Sequence, residues 1–129
     1  MASYYCVCRT NYFNVKDSVA FKEWASRYDV RVIENDGMVG LVGENADGGA
    51  WPSYDGEDDK EIDFAKEISE HLCEGEVAVL MEAGHEKERY VVGHAIAVRA
   101  GGDFITVNLQ DIYKLAEKKW GKKPSLAEY

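Results

Sequence analysis

Cysteine is scarce in this chain and odd in number. Cys6, Cys8 and Cys73 are three in 129 residues, which excludes a disulfide scaffold and points to reduced thiols and a cytoplasmic setting. Basic residues are outnumbered, 15 against 24 acidic ones, for a formal charge of −9. That balance argues against direct capture of nucleic acid or of an anionic membrane, since both repel it. Long apolar runs are absent as well. The longest, Tyr90 to Val98, is broken by Gly93 and His94, and Met1 to Cys6 lacks the basic and apolar regions of a leader peptide. No phosphate-binding loop, CxxC frame or HxxxH pair occurs. The expectation is a non-enzymatic protein with no cofactor and no metal.

What is present is enough for one core. A chain that is 46% hydrophobic does not stay disordered, and residues 1–129 are too few for two ordinary domains. Tyr4 to Tyr12 is aromatic and β-favouring and reads as a first strand. Asp17 caps a helix to about Tyr28, with Phe21, Trp24, Ala25 and Tyr28 on one face. Val30–Glu34 and Met38–Val42 flank Asn35-Asp36-Gly37, a tight-hairpin signal. Residues 44–60 carry glycines, Pro52 and acids, and read as an acidic surface loop. A helix follows from about Asp59 to Cys73, then strands at Glu76–Ala83, Arg89–Arg99 and Phe104–Val107. A last helix begins near Asn108, with Leu109, Ile112, Leu115, Ala116 and Trp120 expected to be buried, and residues 125–129 form a loose tail.

The order β-α-β-β-α-β-β-β-α predicts an α+β two-layer sandwich, a mainly antiparallel sheet of about six strands with three helices and a ferredoxin-like start. In the strand from Arg89 to Arg99 both faces are apolar. Tyr90, Val92, His94 and Ile96 lie on one, and the small Gly93, Ala95 and Ala97, with Val91, on the other, where a helix can approach closely. Three helices cannot cover everything, so the first set is the expected self-association surface of a homodimer.

Charge is concentrated. Between Glu44 and Glu88 stand fifteen acids against Lys60, Lys66 and Lys87, a net of −12, while the rest of the chain is net +3. Two readings compete: a solvated face that keeps a small protein soluble, or a surface that imitates a phosphate row or complements a basic groove. On the second reading Asp47, Asp55, Glu57, Asp58, Asp59, Glu61 and Asp63 set the charge pattern, and Trp51 and Tyr54 are anchors. Those two aromatics would otherwise tack the loop onto the core. The carboxylates lack the alternating spacing of an EF-hand. Cys6, Cys8 and His94 could meet on neighbouring strands but lack a fourth zinc ligand. His71 and His85 read as exposed. An acid–base enzyme would draw on Glu82, His85, Glu88 or His94.

Two stretches, Tyr4-Tyr5-Cys6-Val7-Cys8-Arg9-Thr10-Asn11-Tyr12-Phe13 and Gly75 to Gly93, cover under a third of the chain. They resemble small acidic proteins encoded by phages and integrative elements. The resemblance implies a mobile-element setting, in which such proteins act as decoys or inhibitors of host defence enzymes, of anti-CRISPR or antirestriction type. The implied partner is a basic, nucleic-acid-handling protein. An immunity or antitoxin-like protein that neutralises a nuclease is the alternative.

Overall fold

The computed structural model describes residues 4–43 and 51–128. Eight strands and three helices follow in the order β1 (Tyr5–Thr10), α1 (Ser18–Ala25), β2 (Val30–Asn35), β3 (Met38–Gly43), β4 (Tyr54–Asp55), β5 (Lys60–Glu61), α2 (Phe64–His71), β6 (Val77–Glu86), β7 (Tyr90–Arg99), β8 (Phe104–Asn108) and α3 (Asp111–Trp120). Six strands form one antiparallel sheet, β2-β3-β1-β6-β7-β8, and β4 with β5 makes a separate small ladder. The run β2-β3-β1-β6 places β3 between β1 and β2, and β1 between β3 and β6. That is the interleaved, split-βαβ pattern of the ferredoxin-like start, to which β7 and β8 are added beyond β6.

Local chemistry sets these elements. Asp36 and Gly37 both take positive φ, 51° and 80°, which the two-residue turn between β2 and β3 requires. The Asp17 carboxylate accepts from the amides of Val19 and Ala20 and starts α1. Asp63, not Asp59, caps α2: residues 60–61 are held in the small ladder, and Asp59 sits at φ 51° in the turn before it. The 44–60 excursion therefore closes as a miniature hairpin over its last residues. β1 stops at Thr10, short of the expected Tyr12. There the Thr10 hydroxyl accepts the Leu41 amide at 2.8 Å, and the Asn11 side chain bonds to Val77 and Val79 across the sheet.

The core lies on one side of the sheet. Phe21 and Ala25 of α1 and Phe64, Ala65, Ile68 and Leu72 around α2 pack on Val39, Leu41, Ala78, Leu80 and Val98. In β7 the alternation puts Val92, His94, Ile96 and Val98 on this helix-covered side, with Ile96 against the core. The opposite face, with Val91, Gly93, Ala95 and Ala97, is the open one. This reverses the expected assignment: the helices chose the face with Ile96 and Val98, whose larger side chains fill the gap beneath α2, and the small-residue face was left without a helix.

The third helix also differs from expectation. Of Leu109, Ile112, Leu115, Ala116 and Trp120, only Ala116 is buried; the others are 53–73% exposed. Its start does carry half of the expected reciprocal cap, the Asn108 amide donating to Asp111 at 2.9 Å. Gly121 ends it at φ 75°. Residues after it are not wholly loose, since the Ala127 amide donates to the Tyr113 hydroxyl at 2.7 Å.

Candidate functional site

The acidic segment is fixed to the body by three devices. The first is aromatic. Trp24 stacks on Phe64 with ring centroids 5.1 Å apart, and Trp51 stacks on Phe64 at 5.7 Å, so a phenyl ring is sandwiched between two indoles. Trp51 therefore serves the core, and its anchoring of a partner is not what the geometry favours. The second device is Glu82 on β6, whose carboxylate lies 7% exposed on the helix side. One oxygen accepts the Trp51 amide at 3.1 Å and the other the Tyr4 hydroxyl at 3.3 Å. The Tyr4 ring reaches it past Gly84, where an added Cβ would fall 2.7 Å from the Tyr4 hydroxyl and 2.4 Å from the Tyr5 carbonyl oxygen.

The third device is Arg27, just beyond α1. Its guanidinium meets Asp55 at 2.5 Å, Glu57 at 3.2 Å and Asp58 at 3.3 Å. Asp55 is only 3% exposed and also accepts the amides of Glu57 and Asp58. Burial alone would raise its pKa, but those two amides and Arg27 outweigh burial and hold it below the ordinary carboxylate value. Arg27 is pushed upward, first by its hydrogen bond to Asp58. Asp55 is thus corrected from a partner-binding residue to an internal support of the hairpin. A buried carboxylate beside an arginine cannot meet a second cation.

The remaining acids face outward. Glu57 and Asp58 keep side-chain exposures of 71% and 58% despite Arg27. Asp59, Glu61, Asp63 and Glu70 are exposed, and Asp63 also caps α2. Tyr54 is half-exposed at the ladder's start. Asp55, Asp58, Glu61, Asp63, Glu67 and Glu70 line a groove of about 470 Å3 between the β4–β5 turn and α2, whose cations are Arg27, Lys60 and Lys66. Glu67 is partly occupied: it accepts the Trp24 indole N–H at 2.8 Å and the Tyr28 hydroxyl at 3.1 Å. Burial and then Glu67 push the Tyr28 pKa up to about 12. Asp47 lies outside the described residues.

The histidines and cysteines separate into distinct settings. His94 Nδ1 lies 3.9 Å from Glu82, on the same face, which brings together one pair of the acid–base set. His85 is on the opposite face beside Tyr5, and Glu88 is exposed in the β6–β7 turn. His71, expected in solvent, is half-buried against the rings of Phe21 and Trp24, and burial lowers its pKa. None of the three cysteines is in a disulfide. Burial, then Cys6 and Glu82, push the Cys8 thiol up to about 11, far from a reactive thiolate. Among the described residues, no group of three or more His, Cys, Asp or Glu could hold a metal ion, and no helix is long and apolar enough to cross a membrane.

Sequence reasoning missed Arg27, Glu67 and Tyr4. No local signal marked the first, because its partners lie about thirty residues away in the chain and only the fold brings them near. No protein-family model, curated protein or solved structure matches the chain.

Proposed function

We propose that the chain is a binding protein of a mobile element that docks by its acidic groove on a basic, nucleic-acid-handling partner and inhibits it. What supports the reading is one observation: the exposed carboxylates of Asp58, Glu61, Asp63 and Glu70 line a single groove between α2 and a hairpin that is held in place from beneath, and Glu57 and Asp59 stand exposed on the same hairpin. A preordered row of carboxylates loses little conformational freedom on docking, and its field speeds the encounter. Asp55 and Trp51 act as supports in this scheme, and Tyr54 is the exposed aromatic on the hairpin. A toxin nuclease as partner obeys the same physics and is separated from a host defence enzyme by the genes next to this one.

An acid–base enzyme would have to work through Glu82 and His94. Both Glu82 oxygens already accept protein donors, and we assign that carboxylate to holding residue 51. The test is capture from host lysate at low and high salt, followed by association kinetics with the captured protein. The combined variant Glu57→Gln, Asp58→Asn, Asp59→Asn, Glu61→Gln is expected to slow association about tenfold or more at low salt, with little change at high salt. An unchanged association rate refutes the proposal.

A further inference from the structure

Among the described residues nothing covers the open sheet face or the apolar stripe of α3, and we infer that they cover one another between two copies of the chain. In the resulting twofold dimer, α3 of each copy lies across the open sheet face of the other. The face is apolar and shaped for a helix: Val7, Met81, Val91 and Ile105 stand 57–74% exposed around a floor of Gly93 and Ala95. The floor forms a depression of about 410 Å3. Small residues there let a helix backbone sink close to the strands. α3 presents the matching stripe, with Leu109, Ile112, Leu115 and Trp120 all more than half exposed.

The chain's own α3 does not close this face. β8 ends at Asn108, opposite His94, and the Leu109 amide donates to the Gly93 carbonyl at 2.8 Å. The Leu109 side chain touches the site of Gly93's missing Cβ at 3.2 Å, so the first apolar residue reaches the floor and the rest of the helix leaves it.

Two further observations favour a second copy as the occupant. Of fifteen large apolar side chains exposed among the described residues, seven lie on this face and four on α3 and its lead-in, Leu109. At ~80 Å2 apiece they amount to roughly 900 Å2 per copy, against ~800 Å2 per partner in a standard interface. Both halves of the contact reside on every chain, as an isologous interface demands.

The contact is on the opposite side of the sheet from the acidic groove, so it stands or falls independently of the proposed function. Sedimentation equilibrium of the full chain is expected to give twice the 14.5 kDa chain mass at micromolar concentration. Ala95→Arg places a cation opposite the lysine-rich helix, and Leu115→Glu breaks the apolar stripe. Both side chains are solvent-accessible in a single chain, so far-ultraviolet circular dichroism should remain native. Each variant alone is expected to dissociate at least tenfold more readily than the wild type. Mixed one to one, they should re-form dimers, because one contact becomes Glu on Arg and the other is native. A wild-type monomer at hundreds of micromolar overturns the inference. So does a dimer that both variants leave intact, or a mixture that fails to recover association.

Discussion

Replacing Glu82 by alanine should loosen residue 51 and its surroundings while sparing the sheet. The carboxylate is 7% exposed and accepts two donors, the Trp51 amide at 3.1 Å and the Tyr4 hydroxyl at 3.3 Å. Leaving a buried donor unpaired costs ~1–3 kcal/mol, and hydrogen bonds to a charged acceptor sit at the upper end of the usual range. The Tyr4 bond is long and the ring only partly covered, so most of the loss belongs to the amide. Removing a buried charge returns part of it, since the desolvated carboxylate no longer has to be accommodated. The expected net is a destabilisation of about 2–3 kcal/mol for Glu82→Ala. Glu82→Gln should cost about 1 kcal/mol, because its amide oxygen still accepts from Trp51 and its NH2 can face the tyrosine oxygen. Urea unfolding followed by circular dichroism gives the free energies, and hydrogen exchange reads the Trp51 amide directly. In the alanine variant that amide should exchange faster while those of β6 and β7 remain protected. An alanine variant within ~0.5 kcal/mol of wild type, with Trp51 equally protected, would refute the argument.

Arg27→Gln should leave Asp55 buried without its guanidinium, raise its pKa, and open residues 54–61 to limited proteolysis; unchanged cleavage there would show that the amides of Glu57 and Asp58 suffice. His71 titrates below its ordinary value because it is buried, so the unfolded chain binds more protons than the folded one as pH falls through 6.5. Its contribution is complete above that value and declines below it. The urea midpoint should therefore be lower at pH 5.5 than at pH 7.5, and His71→Gln should flatten the difference; an equal slope in both proteins contradicts this. Cys8, 4% exposed and raised to about 11, should react with a disulfide reagent at pH 8 only after unfolding, whereas half-buried Cys73 reacts in the native protein. Simultaneous labelling of the two would mean that β1 separates readily from its neighbours β3 and β6.

How much of this was legible depended on the range of the interaction. The turn at Asp36-Gly37, the cap at Asp17 and the alternation in β7 are short-range, and each was readable because its chemistry is complete within a few residues. The element order pointed to a ferredoxin-like start but did not fix how the strands pair, because β1, β3 and β6 become neighbours only through contacts between residues far apart in the chain. Arg27 was not readable, because its partners at 55, 57 and 58 come near only after α1 and the small ladder are placed. Glu82 was readable only as an acid–base candidate, because Tyr4 and Trp51, 78 and 31 residues away in the chain, meet its two oxygens only in the fold. For α3 the period was correct and the burial was not. Helical spacing of Leu109, Ile112, Leu115 and Trp120 identifies an apolar stripe, but says nothing about which surface covers it.

The three tryptophans are distributed so that their light reports on different parts of the molecule. Trp24 and Trp51 flank Phe64 at stacking distance, within reach of quenching by the neighbouring His71 and Glu67, while Trp120 stands 73% exposed at the end of α3. Emission from a single chain should divide into a blue-shifted component that iodide barely touches and a red-edge component that it quenches freely. Substituting Trp120 by phenylalanine removes the second and leaves a spectrum that reads only the packing under the acidic hairpin.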